Sequence, residues 1–295
     1  RDVRMLENAA TGAEYAWGGA MMLLRGNLLA ENCLFERNSV WGPNSSFGAA
    51  MALSRTLTIS ITGCTFRQND GWWSSGIHVD GAGKAVTWLV LRDNTFISNG
   101  LGTPGNQGRG GYAAASRINQ ATARIEGNVF RGNKVLNTNG ALVVQGCDLE
   151  LNRNLFLGNL AGSASALILD ENEPCQVTNN VIAGGSCDWA DCSAIQVSYP
   201  GCQFTNNTIA GNKGASAILV YSARVILTNT ILVSHTLGVS VPAYSRVDLE
   251  GTLWGAGPWA TGTWWRGAGT VNGGTINLAA QPGFVNAAAG DYHLL

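Results

Sequence analysis

The sequence predicts an all-β protein folded as a right-handed parallel β-helix, a solenoid of about nine rungs over residues 1–250, with a Trp- and Gly-rich segment, 251–295, packed on it or capping it. Three observations carry this expectation. A phrase of the form Asn-x-Phe/Ile-x-x-Asn recurs along most of the chain. A second phrase, small residues followed by apolar residues at alternate positions, precedes it by 14 to 20 residues. The composition is that of strands and turns, with 39 Gly and only 13% charged residues.

In the first phrase the large apolar residue falls at Phe35, Phe66, Phe96, Phe130, Phe156, Ile182, Ile209 and Ile231, so that successive copies are 31, 30, 34, 26, 26, 27 and 22 residues apart. These are rung lengths, with loops absorbing the differences. Two residues before each stand Cys33 and Cys64, then Asn94, Asn128, Asn154, Asn180, Asn207 and Asn229. A side-chain amide repeated at one rung spacing, about 4.8 Å, can bond its equivalents above and below and satisfy backbone groups bared by a bend, so these six Asn are expected to form a ladder. A second series, Asn38, Asn69, Asn99, Asn133, Asn159 and Asn212, is expected at left-handed turn positions.

The second phrase comprises Gly19-Ala20-Met21, Ala49-Ala50-Met51, Ser75-Gly76-Ile77, Gly140-Ala141-Leu142, Ser165-Ala166-Leu167, Ser193-Ala194-Ile195 and Ser216-Ala217-Ile218. Two positions on from its apolar residue lie Leu23, Leu53, Val79, Val144, Leu169, Val197 and Val220, the period of two that buries one face of a strand. Between each inward pair one residue points out: Met22, Ala52, His78, Val143, Ile168, Gln196 or Leu219. So apolar a stripe predicts a cover, either the Trp-rich tail or another chain. Short tandem strands also build sandwiches and propellers, but those require no Asn series in constant register with the core.

The pairing of Gly-Gly-Ala with Phe-x-x-Asn resembles the repeats of chlamydial-type polymorphic outer-membrane proteins and, more broadly, the pectin-lyase-like β-helix superfamily. The stretch Gln281-Pro282-Gly283-Phe284-Val285-Asn286, with Ala289-Gly290-Asp291-Tyr292-His293-Leu294, resembles the end of secreted bacterial β-helix proteins with a choice-of-anchor region. The resemblance implies export and surface display, but such families mix enzymes with adhesins, so it implies a fold and a location more than a reaction. The chain opens at Arg1, and Met5-Leu6-Glu7-Asn8 reads like the tail of a rung, which predicts upstream sequence or a partner over that end.

Seven Cys favour an oxidising compartment. Cys33 and Cys64 share one rung position, as do Cys175 and Cys202, and Cys187 and Cys192 bracket a short loop, so three bridges are expected with Cys147 free. The alternative for stacked Cys is that they are small buried hydrophobes. Zinc is excluded by spacing, because no Cys-x-x-Cys occurs and His78, His235 and His293 are scattered.

With a net charge of −1 and no run of Lys or Arg, nothing suits a phosphate backbone, so nucleic acid is not an expected partner. No apolar stretch reaches the roughly 18 residues of a membrane-spanning segment. A β-helix lyase or hydrolase needs outward acids and bases on adjacent rungs. The outward charges legible here are Arg92 beside Glu126 and Arg124 beside Glu150, which read as surface ion pairs. Asp170, Glu171 and Glu173 form the densest acidic run, expected in one turn, where a weak Ca²⁺ contact is the most it offers; no cofactor is expected. Trp41, Trp72, Trp73 and Trp189 fall in loops where they can meet a glycan or a protein. The expectation is therefore a noncatalytic extracellular or cell-surface structural or adhesive module meeting protein or glycan. A carbohydrate-active lyase, hydrolase or epimerase is the first alternative, and a self-associating fibre subunit the second.

Overall fold

Alternating apolar residues decide which way each strand faces, and stacking them decides the fold. In the computed structural model, which describes residues 1–42, 44–100, 115–135 and 139–295, the chain is an all-β parallel solenoid of about ten turns. Each full rung has three strands, shown by Met21–Leu24, Asn27–Glu31 and Leu34–Glu36, and each pairs in parallel with its equivalent one rung on. We call these stacks the first, second and third sheets. The first two merge where Ser193–Thr205 runs through both.

The core is one continuous cluster along the axis. In the third sheet Phe35, Phe66, Phe96, Phe130 and Phe156 stack with ring centroids 5.0, 4.8, 4.8 and 4.6 Å apart, close to the rung spacing that strand pairing imposes. Ile182, Ile209 and Leu232 continue the column. Here the expected register is corrected. Thr208 pairs with Ile231, so Leu232 and not Ile231 is the inward residue, and the last step is one longer than the sequence suggested. Two adjacent apolar residues fit either register, and only the pairing separates them.

The Asn ladder lies between the second and third sheets. The backbone N–H groups of Cys64, Asn94, Asn128, Asn154 and Asn180 each donate to the Oδ1 of the next Asn at 2.9 Å, ending on Asn207. Each of these Asn also donates from Nδ2 to a carbonyl of the preceding rung, as Asn94 does to Ile61 at 2.8 Å. Asn229 is not in this column. The same one-residue shift puts buried Thr230 there and leaves Asn229 left-handed at φ 47°, the turn position that Asn179 and Asn206 occupy in earlier rungs.

The second Asn series is also a buried ladder rather than the expected left-handed residues. Asn38 donates to Asn69, Asn69 to Asn99, Asn99 to Asn133 and Asn133 to Asn159, each from both backbone N–H and Nδ2 at 2.9 to 3.1 Å. The left-handed residue is the one before, as at Arg37, Gln68, Ser98 and Gly132. Gly185 interrupts this column, its N–H donating to Asn212 Oδ1, and His235 ends it with its ring nitrogens on the carbonyls of Asn212 and Ile209.

Of the expected bridges, Cys175–Cys202 and Cys187–Cys192 are formed, with Cα atoms 4.7 and 5.9 Å apart, and Cys147 is free. Cys33–Cys64 is corrected: both thiols are free and buried. Each stands where the ladder needs an amide. Cys64 Sγ accepts the N–H of Cys33 at 3.3 Å and donates to the carbonyl of Thr62, and Cys33 donates to that of Glu31. Cys147 likewise accepts the N–H of Ala121 and donates to Gln145. Desolvation pushes the Cys64 and Cys147 thiols up to about 11, which keeps them protonated.

Solenoid pairing does not stop at residue 250. Thr252–Leu253, Thr263–Arg266, Thr270–Asn272 and Asn277–Leu278 extend the three sheets by a further rung, and Trp254 lies fully buried in the core, stacked on Trp264 at 5.3 Å. Beyond it Phe284–Asn286 and Asp291–Leu294 form an antiparallel pair whose Phe284 and Tyr292 pack with Trp259 against Ala183, Ala210 and Val233, the outer side of the third sheet.

Candidate functional site

The outer face of the first sheet holds a row of polar side chains in the middle of the stack. Strand alternation puts Ile77 and Val79 inside, so His78 and Asp80 point out. Register then stacks Arg117 and Asn119 on His78 and Asp80, Gln145 on Asn119, and Asp170 on Gln145. Four successive rungs thus carry an imidazole, a guanidinium, two amides and two carboxylates on one face. Arg117 donates to Gln145 Oε1 at 3.0 Å, and Gln145 donates to Asp170 Oδ2 at 3.1 Å.

Loops of this chain roof one end of the row. Trp17 and Phe47, opposite each other in the paired strands Tyr15–Trp17 and Ser45–Phe47, stack at 4.1 Å, and Trp73 follows at 5.5 Å from Phe47. Trp73 is held by donation from Nε1 to Ser45 Oγ at 2.9 Å, and the Arg117 guanidinium lies 5.2 Å from its ring centre, a cation–π distance. Phe47 and Trp17 also contact the His78 ring, at 4.8 and 5.8 Å.

Two buried polar atoms of the row have no hydrogen-bond partner among the described residues: His78 Nδ1 and Asn119 Oδ1. His78 is only 3% exposed. Burial, and then the neighbouring Arg117 charge, push its imidazole down to about 3, so it is neutral at physiological pH with a bare ring nitrogen. Burial, and then the adjacent Glu171 charge, push Asp170 up, which favours its protonated form, while Arg117 opposes them. The row therefore carries an unprotonated, covered imidazole at one end and a carboxyl biased toward its protonated form at the other. Asp80 and Asp170 are three rungs apart, about 14 Å, well beyond the roughly 5–9.5 Å at which paired carboxylates cleave a glycosidic bond.

The expected partner stripe is corrected by this geometry. Ala52, His78, Val143 and Ile168 are buried within this chain. Trp17 and Phe47 lie over His78, and Ala164, at the start of the strand Ala164–Asn172, packs on Val143 and Ile168. Met22 is exposed and Leu219 half-buried, and Arg117 breaks the stripe between His78 and Val143. Of the four loop aromatics, Trp73 reaches the row and Trp72 lies beside it, half-buried. Trp41, the last residue of the strand Ser39–Trp41, and Trp189, in a turn, are exposed five rungs apart, about 24 Å, so the four do not form one surface. Asp170 belongs to the strand Ala164–Asn172 rather than to a turn, Glu171 is its exposed left-handed residue, and Glu173 precedes a cis proline. Among the described residues no three His, Cys, Asp or Glu side chains converge as metal ligands would.

Sequence reasoning passed over Arg117 and Asn119 because their rung lacks the usual phrase: Ser116 stands where the other rungs have Met, Ile or Leu. The available signal was Ile118, twelve residues before Phe130, just as Val144 is twelve before Phe156.

No family model matches the sequence, and no curated protein does. Among solved structures the periplasmic alginate epimerase AlgG is similar, with 12% sequence identity, a TM-score of 0.30, and 83% of this chain and 76% of that chain covered. A likeness of that size carries no statement about activity.

Proposed function

We propose that the protein is an exported, noncatalytic β-helix that displays the row from His78 to Asp170 as a glycan-binding surface for adhesion at the cell exterior. The observation carrying this reading is the row itself, four adjacent rungs of outward donors and acceptors that include two buried, unpartnered atoms. Buried polar groups are nearly always satisfied, so the orphans mark a stretch that the fold leaves uncompensated, and the partly solvated Arg117, Gln145 and Asp170 beside them are the groups a ligand would reach. Trp73 and Arg117 supply the aromatic wall and fixed donor that sugar recognition uses. Export is supported by the two disulfides, which persist in oxidising compartments. No helix among the described residues is long and apolar enough to cross a membrane.

Titration of the full chain against an oligosaccharide array tests this reading. Arg117→Ala is expected to weaken the best ligand about tenfold or more while changing stability by less than about 1 kcal/mol, since Arg117 is partly solvated. Unchanged affinity in that variant sinks the assignment.

A further inference from the structure

The second sheet carries a separate groove that neither the row nor the resemblance accounts for. Leu89 and Leu91 face the core, so alternation turns Trp88 outward at the start of the strand Trp88–Arg92, and its side chain is 57% exposed. Its partners in register are Thr58 and Thr122, so nothing in the stacking pattern calls for an aromatic there. Below Trp88 lie Thr122 and Asp148 in one column, and Arg124, Glu150 and Gln176 in the next. Together these six residues line a cavity of about 260 Å³.

The groove is built, not merely bare. Lys84 braces the lining residue Asp148: its Nζ meets Asp148 Oδ1 at 3.1 Å and donates to the Glu173 carbonyl, next to the lining residue Pro174, at 2.9 Å. Its own carbonyl accepts from Thr122 Oγ1 at 2.9 Å, and the same loop is pinned by Thr87, which donates to the Thr56 carbonyl at 2.8 Å and accepts the N–H of Ala82 at 2.9 Å.

Charge identifies the occupant. Lys84 pairs with Asp148, and Arg124 with Glu150 at 3.0 Å, so the groove has two cations, two anions and no net charge. A polyanion or polycation would have to break one of these pairs. A neutral ligand with closely spaced hydroxyls can bond to both members of a pair while leaving it intact. An exposed aromatic ring with such pairs on the next two rungs matches a pyranose, which has an apolar C–H face and a polar rim. We propose that this groove is a carbohydrate-binding site for neutral hexopyranose chains, with Trp88 as the stacking platform and Arg124, Asp148, Glu150 and Gln176 as hydroxyl partners.

The test is calorimetric titration of the full chain with neutral gluco-, manno- and galacto-configured tetrasaccharides and with a uronate tetrasaccharide. One neutral series is expected to bind, with affinity falling about tenfold or more in Trp88→Ala and less in Trp88→Phe, and changing by no more than about twofold between about 0.05 and 0.5 M salt. Trp88 is exposed, so the variants should unfold at the wild-type temperature, and that is measured alongside. Binding of no neutral sugar, binding indifferent to Trp88→Ala, or preference for the uronate with steep salt dependence each overturns the proposal. Binding lost in Arg117→Ala but not in Trp88→Ala puts the sugar on the first sheet, overturning this proposal while leaving the function proposed above standing.

Discussion

Two stacks of polar side chains run along this solenoid, and they are built differently. The ladder from Asn94 to Asn207 repeats one residue type, and each buried amide both accepts from the rung before and donates to a carbonyl. The row from His78 to Asp170 repeats nothing, is only partly bonded, and leaves His78 Nδ1 and Asn119 Oδ1 bare. A satisfied repeat holds rungs together, whereas an unsatisfied, irregular stack costs stability where it stands. The difference separates what the fold needs from what it carries.

Three substitutions test the contrast. Asn128→Ala has the largest expected effect, about 3–5 kcal/mol of destabilisation, because it takes the acceptor from the Asn94 N–H and Nδ2 and the side-chain donor from the Leu91 carbonyl in a dry turn. Chemical denaturation reads it, and a loss under about 1 kcal/mol would mean the ladder is ornament.

His78→Leu should act in the opposite direction. In the unfolded chain the imidazole titrates near 6.5, but in the fold its value is about 3, so between those values the unfolded chain holds a proton the folded one does not. Stability is therefore fully present above pH 6.5 and falls as pH drops toward 3, by up to about 1.4 kcal/mol per pH unit for this one group. Burial also lowers His235, which adds loss of the same sign. The Leu variant should be at least as stable as wild type at pH 7 and about 2 kcal/mol ahead at pH 5. Equal acid sensitivity in both proteins would show that His78 is not held neutral by the fold.

Cys64→Asn has the smallest expected effect. It restores an amide where a thiol now accepts from Cys33, and should stabilise by about 1 kcal/mol if the ladder rule holds at its end. A destabilised variant would show that the turn around Cys33 has room for sulfur and not for an amide.

Much of this is legible in the sequence. Phe35 to Phe156, the small-residue phrases and the Asn at constant offset define rungs because they express local rules: strand alternation, turn chemistry, and the spacing at which identical side chains can bond. The paired bridge Cys175–Cys202 followed from the same counting. What the sequence determined by itself was therefore where the repeats stand, though not the role of each, since the second Asn series is a buried ladder and not the left-handed turn residues it suggested. What it left open was decided by contacts between rungs and loops: the one-residue register at Ile231 and Leu232, thiol against disulfide at Cys33 and Cys64, and the cover over the stripe. Arg117 and Trp88 belong to that second group, since a residue that departs from a repeat has no periodic signal of its own. Only the tertiary structure sets such departures side by side, because neighbours across rungs lie some 25 to 40 residues apart in the chain and are brought within one strand spacing by the coil alone.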